Sequence, residues 1–141
     1  MTVRKIEGEL PVAFRYTPGV ANTAFFEALR DRGVLLGSRC AACAMTYLPA
    51  RLFCERCFAE LAADVECEPR GTLESWTVGH VGIDDEPLTD PVMLGLVKLD
   101  GADTVLLHFL LARAEIGARV IVVLKEHRIG SILDIEGFRP A

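Results

Sequence analysis

The chain has 141 residues, 51% of them apolar and 25% charged, a balance that supports one buried core and excludes a disordered tail. Twenty acidic against fifteen basic side chains leave a formal charge of −5, which disfavours tight, sequence-independent binding to nucleic acid. Charge-free apolar runs such as Thr104–Ala112 stop far short of the ~20 residues that span a bilayer. Arg4 and Lys5 are followed by Glu7 and Glu9, not by the apolar stretch of a signal peptide, so a cytoplasmic protein without membrane attachment is expected.

Three parts are expected along the chain: an N-terminal arm and short helix over 1–33, a cysteine module over 34–64, and a strand-rich region over 65–141. Residues 1–21, with Pro11, Pro18 and Gly19, read as an extended arm. Asn22 is a suitable N-cap, Thr23–Arg32 places Phe25, Phe26, Ala28 and Leu29 on one broad face, and Gly33 ends the helix. A helix of about ten residues is not stable alone, so its apolar face must lie against the body of the chain or against a partner.

The cysteines carry the most specific signal. Cys40-Ala-Ala-Cys43 and Cys54-Glu-Arg-Cys57 form two pairs with a two-residue gap, separated by ten residues. Each pair lets two sulfurs of a tight turn face one point, and two such turns complete a tetrahedron at ~2.3 Å around Zn²⁺. With four thiolates no ligand position stays open, so the zinc is expected to be structural. Iron in a rubredoxin-like electron carrier uses the same spacing. Two disulfides would require an oxidising compartment, and a thioredoxin-like redox pair would need only one such motif beside a βαβ pattern. Cys67 stands apart and reads as a half-buried strand residue. The residue after each pair often takes a left-handed backbone; here these are Ala44 and Phe58, at ~1–2 kcal/mol each, well within a metal-binding energy of ~10–16 kcal/mol. Tyr47, Leu52 and Phe53 are expected to cover the site.

From Val65 onward the pattern turns to strands. Thr72–His80 alternates, Val92–Leu99, Thr104–Leu111 and Val120–Leu124 are nearly continuous apolar runs, and Ser131–Phe138 is a weaker last strand. Asp100-Gly101 marks a turn. Five strands with no room for crossover helices imply a small closed Greek-key barrel of the oligonucleotide/oligosaccharide-binding (OB) type. The fold class is therefore mainly β: an N-terminal helix, a rubredoxin-like zinc ribbon, then a five-stranded OB barrel.

No catalytic motif is legible. His80, His108 and His127 lie on separate strands without a pairing motif, and His108, inside TVLLHFLLA, reads as a hydrogen-bonded core residue. OB barrels with zinc ribbons also bind single-stranded nucleic acid through a basic groove and stacked aromatics. Here the strands offer Trp76 and Phe109, and residues 71–141 carry six basic against eleven acidic side chains. Arg113, Arg119, Lys125 and Arg128 bring positive charge to the later strands and are candidates for contact with ligand phosphates.

The stretches Phe25–Leu29, Leu36-Gly-Ser-Arg-Cys40 with Cys43, Pro49-Ala-Arg51 leading into Cys54 and Cys57, Gly71–Val78, Gly95–Gly101, Ile116–Val120 and Phe138–Ala141 together resemble the zinc-ribbon/OB-fold proteins associated with acyl-CoA enzymes, over roughly residues 22–141. The Arg15-Tyr16-Thr-Pro18-Gly19 arm is similar to that of small subunits of thiolase-type complexes such as benzoylsuccinyl-CoA thiolase. The resemblance implies a non-catalytic subunit that caps a thiolase-fold catalytic partner in a hetero-oligomer, with barrel and ribbon helping to form the acyl-CoA channel and a CoA thioester bound at the partner interface. A single-stranded nucleic-acid-binding protein is the alternative expectation.

Overall fold

A computed structural model describes residues 8, 13, 16–82 and 84–141; most of the expected N-terminal arm, Arg15 included, lies outside them. Helix α1 runs over Gly19–Arg32, four residues earlier than the Asn22 cap predicts. The chain enters through Pro18, with Gly19 at a φ of 76°, and no side chain caps the first turn; the rigid Pro-Gly turn, not an Asn side chain, sets the entry. The helix ends as expected. Gly33 takes a φ of 67°, and the N–H groups of Gly33 and Val34 close onto the carbonyls of Leu29 and Ala28, a left-handed stop that glycine makes without strain.

Three short strands, β1 (Leu35–Cys40), β2 (Met45–Tyr47) and β3 (Ala63–Cys67), form an antiparallel sheet in the order β2-β1-β3. Gly37 sits where β1 is crowded from both sides: a Cβ there would meet the Tyr47 carbonyl oxygen at 2.6 Å.

The second sheet holds β4 (Arg70–Val81), β5 (Pro87–Leu99), β6 (Val105–Phe109), β7 (Arg119–Leu124) and β8 (Ile135–Pro140) in the order β6-β5-β4-β7-β8. It curls until its edges meet: Leu110 pairs with Phe138 in parallel, and the Leu111 N–H donates to the Phe138 carbonyl at 2.8 Å. Five strands closed in this order are the expected OB barrel. Gly71 marks the crossing of β4 with β5, where any Cβ would lie 2.2 Å from the Lys98 carbonyl. The expected last strand starts late, because Ile132–Asp134 forms a single 3₁₀ turn before β8.

One hydrophobic cluster runs through all three parts. It joins Phe25 and Leu29 of α1, Leu35, Leu48 and Cys67 of the ribbon, and Leu73, Val97, Leu99, Val120 and Phe138 of the barrel. The helix face is thus covered by the chain itself; Phe25 and Leu29 are fully buried and Phe26 is half-buried. A second, smaller cluster holds Cys40, Tyr47, Cys54 and Leu61. Polar stitches tie ribbon to barrel between these clusters. Asp103, on the β5–β6 turn, accepts from the Thr46 N–H and returns its own N–H to the Thr46 carbonyl, both at 2.8 Å. The Thr104 hydroxyl accepts from the Leu48 N–H and donates to its carbonyl, at 2.8 and 2.9 Å.

Among the described residues no helix is long and apolar enough to cross a membrane.

Candidate metal centre

Two tight turns bring the four cysteines of the expected set together. β1 delivers Cys40 as its last residue, and the turn to β2 carries Cys43. Opposite them, the Cys54 carbonyl accepts from the Phe58 N–H at 3.0 Å, and the Cys54 N–H donates to the Ala59 carbonyl at 2.9 Å, folding Cys54–Cys57 into the second turn. Ala44 and Phe58 adopt φ of 55° and 58°, the left-handed conformation expected after each pair.

The ligand atoms of Cys40, Cys43, Cys54 and Cys57 all lie within 4.8 Å of one another, and the Cys40 and Cys57 sulfurs are 3.6 Å apart. A tetrahedron with ~2.3 Å metal–sulfur bonds has edges of about 3.8 Å, so the donors fit a zinc-sized ion with little movement. Among the described residues this is the one group of cysteine, histidine and carboxylate side chains so arranged. Cys40 and Cys54 are buried, Cys43 is half-buried and Cys57 is exposed, giving the centre a dry side and a wet side.

The Cys54 thiol is held down at about 6, chiefly by the Tyr47 hydroxyl and then by backbone N–H groups of Cys57 and Arg56. The Tyr47 phenol is in turn pushed up to about 12, chiefly by the same bond. Cys43 is pushed up to about 12, chiefly by its contact with Cys57. A thiolate at Cys43 is thus disfavoured beside its neighbouring sulfurs, and a divalent ion would compensate it.

Of the three side chains expected to cover the site, only Tyr47 does so. It is fully buried, whereas Leu52 is partly exposed and Phe53 is 53% exposed. Cys67 lies on β3, buried in the main core and outside the metal set, with burial pushing its thiol up.

On the barrel, His108 is buried with its Nε2 at 3.1 Å from the Ile132 carbonyl oxygen, the core role expected of it, and burial pushes its imidazole down. His80 and His127 are exposed. The late basic residues are partly engaged within the chain. Arg119 pairs with Asp100, Arg128 donates to the carbonyls of Arg30 and Lys125, and Arg113 lies over the Trp76 ring at 5.5 Å. Two features of the structure leave no clear mark in the sequence pattern. One is the alternation on β6, where Val105, Leu107 and Phe109 are exposed and Leu106 and His108 buried; Thr104–Leu111 is apolar on both faces and so gives no signal of sides. The other is Asp134, whose Ser131-x-x-Asp134 spacing is that of a capping box.

Comparison with known proteins agrees with this architecture. Residues 28–62 match the model of the ChsH2 rubredoxin-like zinc ribbon domain, and residues 64–125 match that of the ChsH2 C-terminal OB-fold domain. No curated protein matches the chain significantly by sequence. Among solved structures, the chain is similar to one described as an Ltp2-ChsH2(DUF35) aldolase, at 29% identity and a TM-score of 0.63, over 89% of this chain and 98% of that one. It is also similar to a DUF35-family protein of unknown function from Sulfolobus solfataricus, at 26% identity and a TM-score of 0.62, over 74% of this chain and 78% of that one. With its zinc-ribbon and OB-fold domains matched in tandem from residue 28 to residue 125, the chain belongs to the ChsH2-type, DUF35 family of zinc-ribbon/OB-fold proteins.

Proposed function

We propose that this chain is the zinc-binding, non-catalytic subunit of a thiolase-type acyl-CoA complex, stabilising the catalytic subunit and helping to form its acyl-CoA channel. One observation carries the reading: the similarity extends over nearly the whole length of a chain solved as part of an Ltp2-ChsH2 aldolase. In this reading Cys40, Cys43, Cys54 and Cys57 hold one zinc ion, which fixes the two turns and, with four thiolates, offers no position to a substrate. The nucleophile and bases of a thiolase-type site then come from the partner, and the rigid barrel contributes a channel wall that excludes water and orients the thioester.

The outer face of β6 gives this reading a surface. Leu107 is 56% exposed and is flanked by the exposed Val105, Phe109 and Leu111, with Leu133 from the 3₁₀ turn beside them. Contiguous apolar exposure of this kind suits a partner face better than solvent.

The test is an assay of CoA-dependent cleavage or condensation with this chain alone, a thiolase-like partner alone, and both together. Activity is expected only, or far more strongly, with both. Turnover by this chain alone overturns the subunit reading, and full activity of the partner alone removes its functional content.

A further inference from the structure

Tyr47 is the largest of the fully buried side chains among the described residues. Its backbone is held in β2 opposite Ser38 of β1, and the Arg51 guanidinium lies over its ring at 4.9 Å while pairing with Glu55 at 2.6 Å. The phenol oxygen therefore has little choice of partner, and a buried hydroxyl needs one. Its partner is the Cys54 sulfur, at 3.2 Å. Cys54 is also fully buried, unlike Cys43 and Cys57 on the wet side of the centre.

We propose that Tyr47 is a positioning residue of the metal centre, whose O–H donates to the Cys54 thiolate and sets the strength of that one metal–sulfur bond. This rests on the four-cysteine metal reading and adds to it. Four thiolates around a divalent ion leave a net charge of −2, which water disperses on the exposed side. On the buried side donors must do so, and beside the backbone N–H groups of Cys57 and Arg56 the Tyr47 hydroxyl is the side-chain donor placed for it. A hydrogen bond to a ligating sulfur draws electron density from the metal–sulfur bond, and loss of such outer partners typically weakens metal binding 10–100-fold.

The test uses the full chain loaded with Co²⁺, whose sulfur-to-metal charge-transfer band reports on the thiolates directly. Tyr47→Phe, which keeps the ring and removes the donor, is expected to move that band to longer wavelength and to weaken Zn²⁺ binding about tenfold in competition with a chromophoric chelator. Site-specific 3-fluorotyrosine at position 47, a stronger donor, is expected to move the band the opposite way. This second variant keeps the test alive if Tyr47→Phe fails to fold, because a purely space-filling ring predicts no shift from it. Bands that coincide in wild type and 3-fluorotyrosine protein overturn the Tyr47 inference while leaving the metal reading intact. A wild-type chain that takes up no cobalt overturns both.

Discussion

Ala44 and Phe58 hold left-handed backbones that their side chains disfavour by ~1–2 kcal/mol each. Glycine adopts the same backbone freely but gives back ~0.5–1 kcal/mol in chain entropy. Ala44→Gly is therefore expected to stabilise the zinc-loaded protein by about 0.5–1 kcal/mol, read from the midpoint of denaturant unfolding. Phe58, 78% exposed, leaves little packing to lose, so Phe58→Gly is expected to act in the same direction. These two positions were legible because the pair spacing dictates the turn. Asp134 was not. Expected inside the strand Ser131–Phe138, it instead accepts N–H groups of Ile129, Gly130 and Ser131 at the foot of β8. Burial alone raises its carboxyl, but the amides of Ile129, Ser131 and Gly130 outweigh this and hold it below the ordinary carboxylate range. A depressed native value means that the stabilisation is complete above the unfolded-state value and is lost as pH falls through the native one. Asp134→Asn is expected to destabilise the fold by about 2 kcal/mol at neutral pH, and to flatten the stability loss below about pH 4. Unfolding curves over a pH series check both.

At the level of elements, the helix stop at Gly33 and the turn at Asp100-Gly101 were readable from single residues, because a positive φ there leaves few alternatives. The helix start was not, since Asn22 looks like a cap whether or not the chain turns earlier at Pro18-Gly19. Nor did periodicity tell which side of β6 faces inward. Its neighbours decide that: Leu94, Leu96 and Lys98 of β5 sit opposite Phe109, Leu107 and Val105, and barrel closure draws Leu110 inward against Phe138. Because the outward side chains contribute little to the core, Leu107→Asp is expected to leave folding stability within about 0.5 kcal/mol of wild type. The same substitution is expected to abolish co-purification with the proposed catalytic partner. Retained co-purification with an unchanged melting temperature places the docking face elsewhere.

For the whole molecule, charge and metal make two further expectations. A tetrathiolate zinc site adds its −2 to the formal −5, about −7 in all. Affinity for single-stranded DNA at physiological salt is therefore expected to be undetectable by fluorescence anisotropy, and a salt-dependent sub-micromolar dissociation constant would favour the nucleic-acid alternative. Removal of zinc by a chelator is expected to be felt beyond the ribbon, because ribbon, helix and barrel share one core; hydrogen exchange of β4 and β5 amides is expected to accelerate along with that of β1 and β2. The three-part organisation itself was visible in the sequence as a change of pattern. Its seam was not, because Asp103 and Thr104 bond to Thr46 and Leu48 more than fifty residues away, beyond the reach of local reading. That seam limits how such proteins can be recombined. A ribbon grafted onto a foreign barrel arrives with the backbone groups of Thr46 and Leu48 unanswered, unless the recipient's strand turn supplies an Asp-Thr pair at the same height. Exchange between relatives is thus expected to succeed when residues 34–67 and 100–104 travel together, and to give aggregating chimeras when the ribbon travels alone.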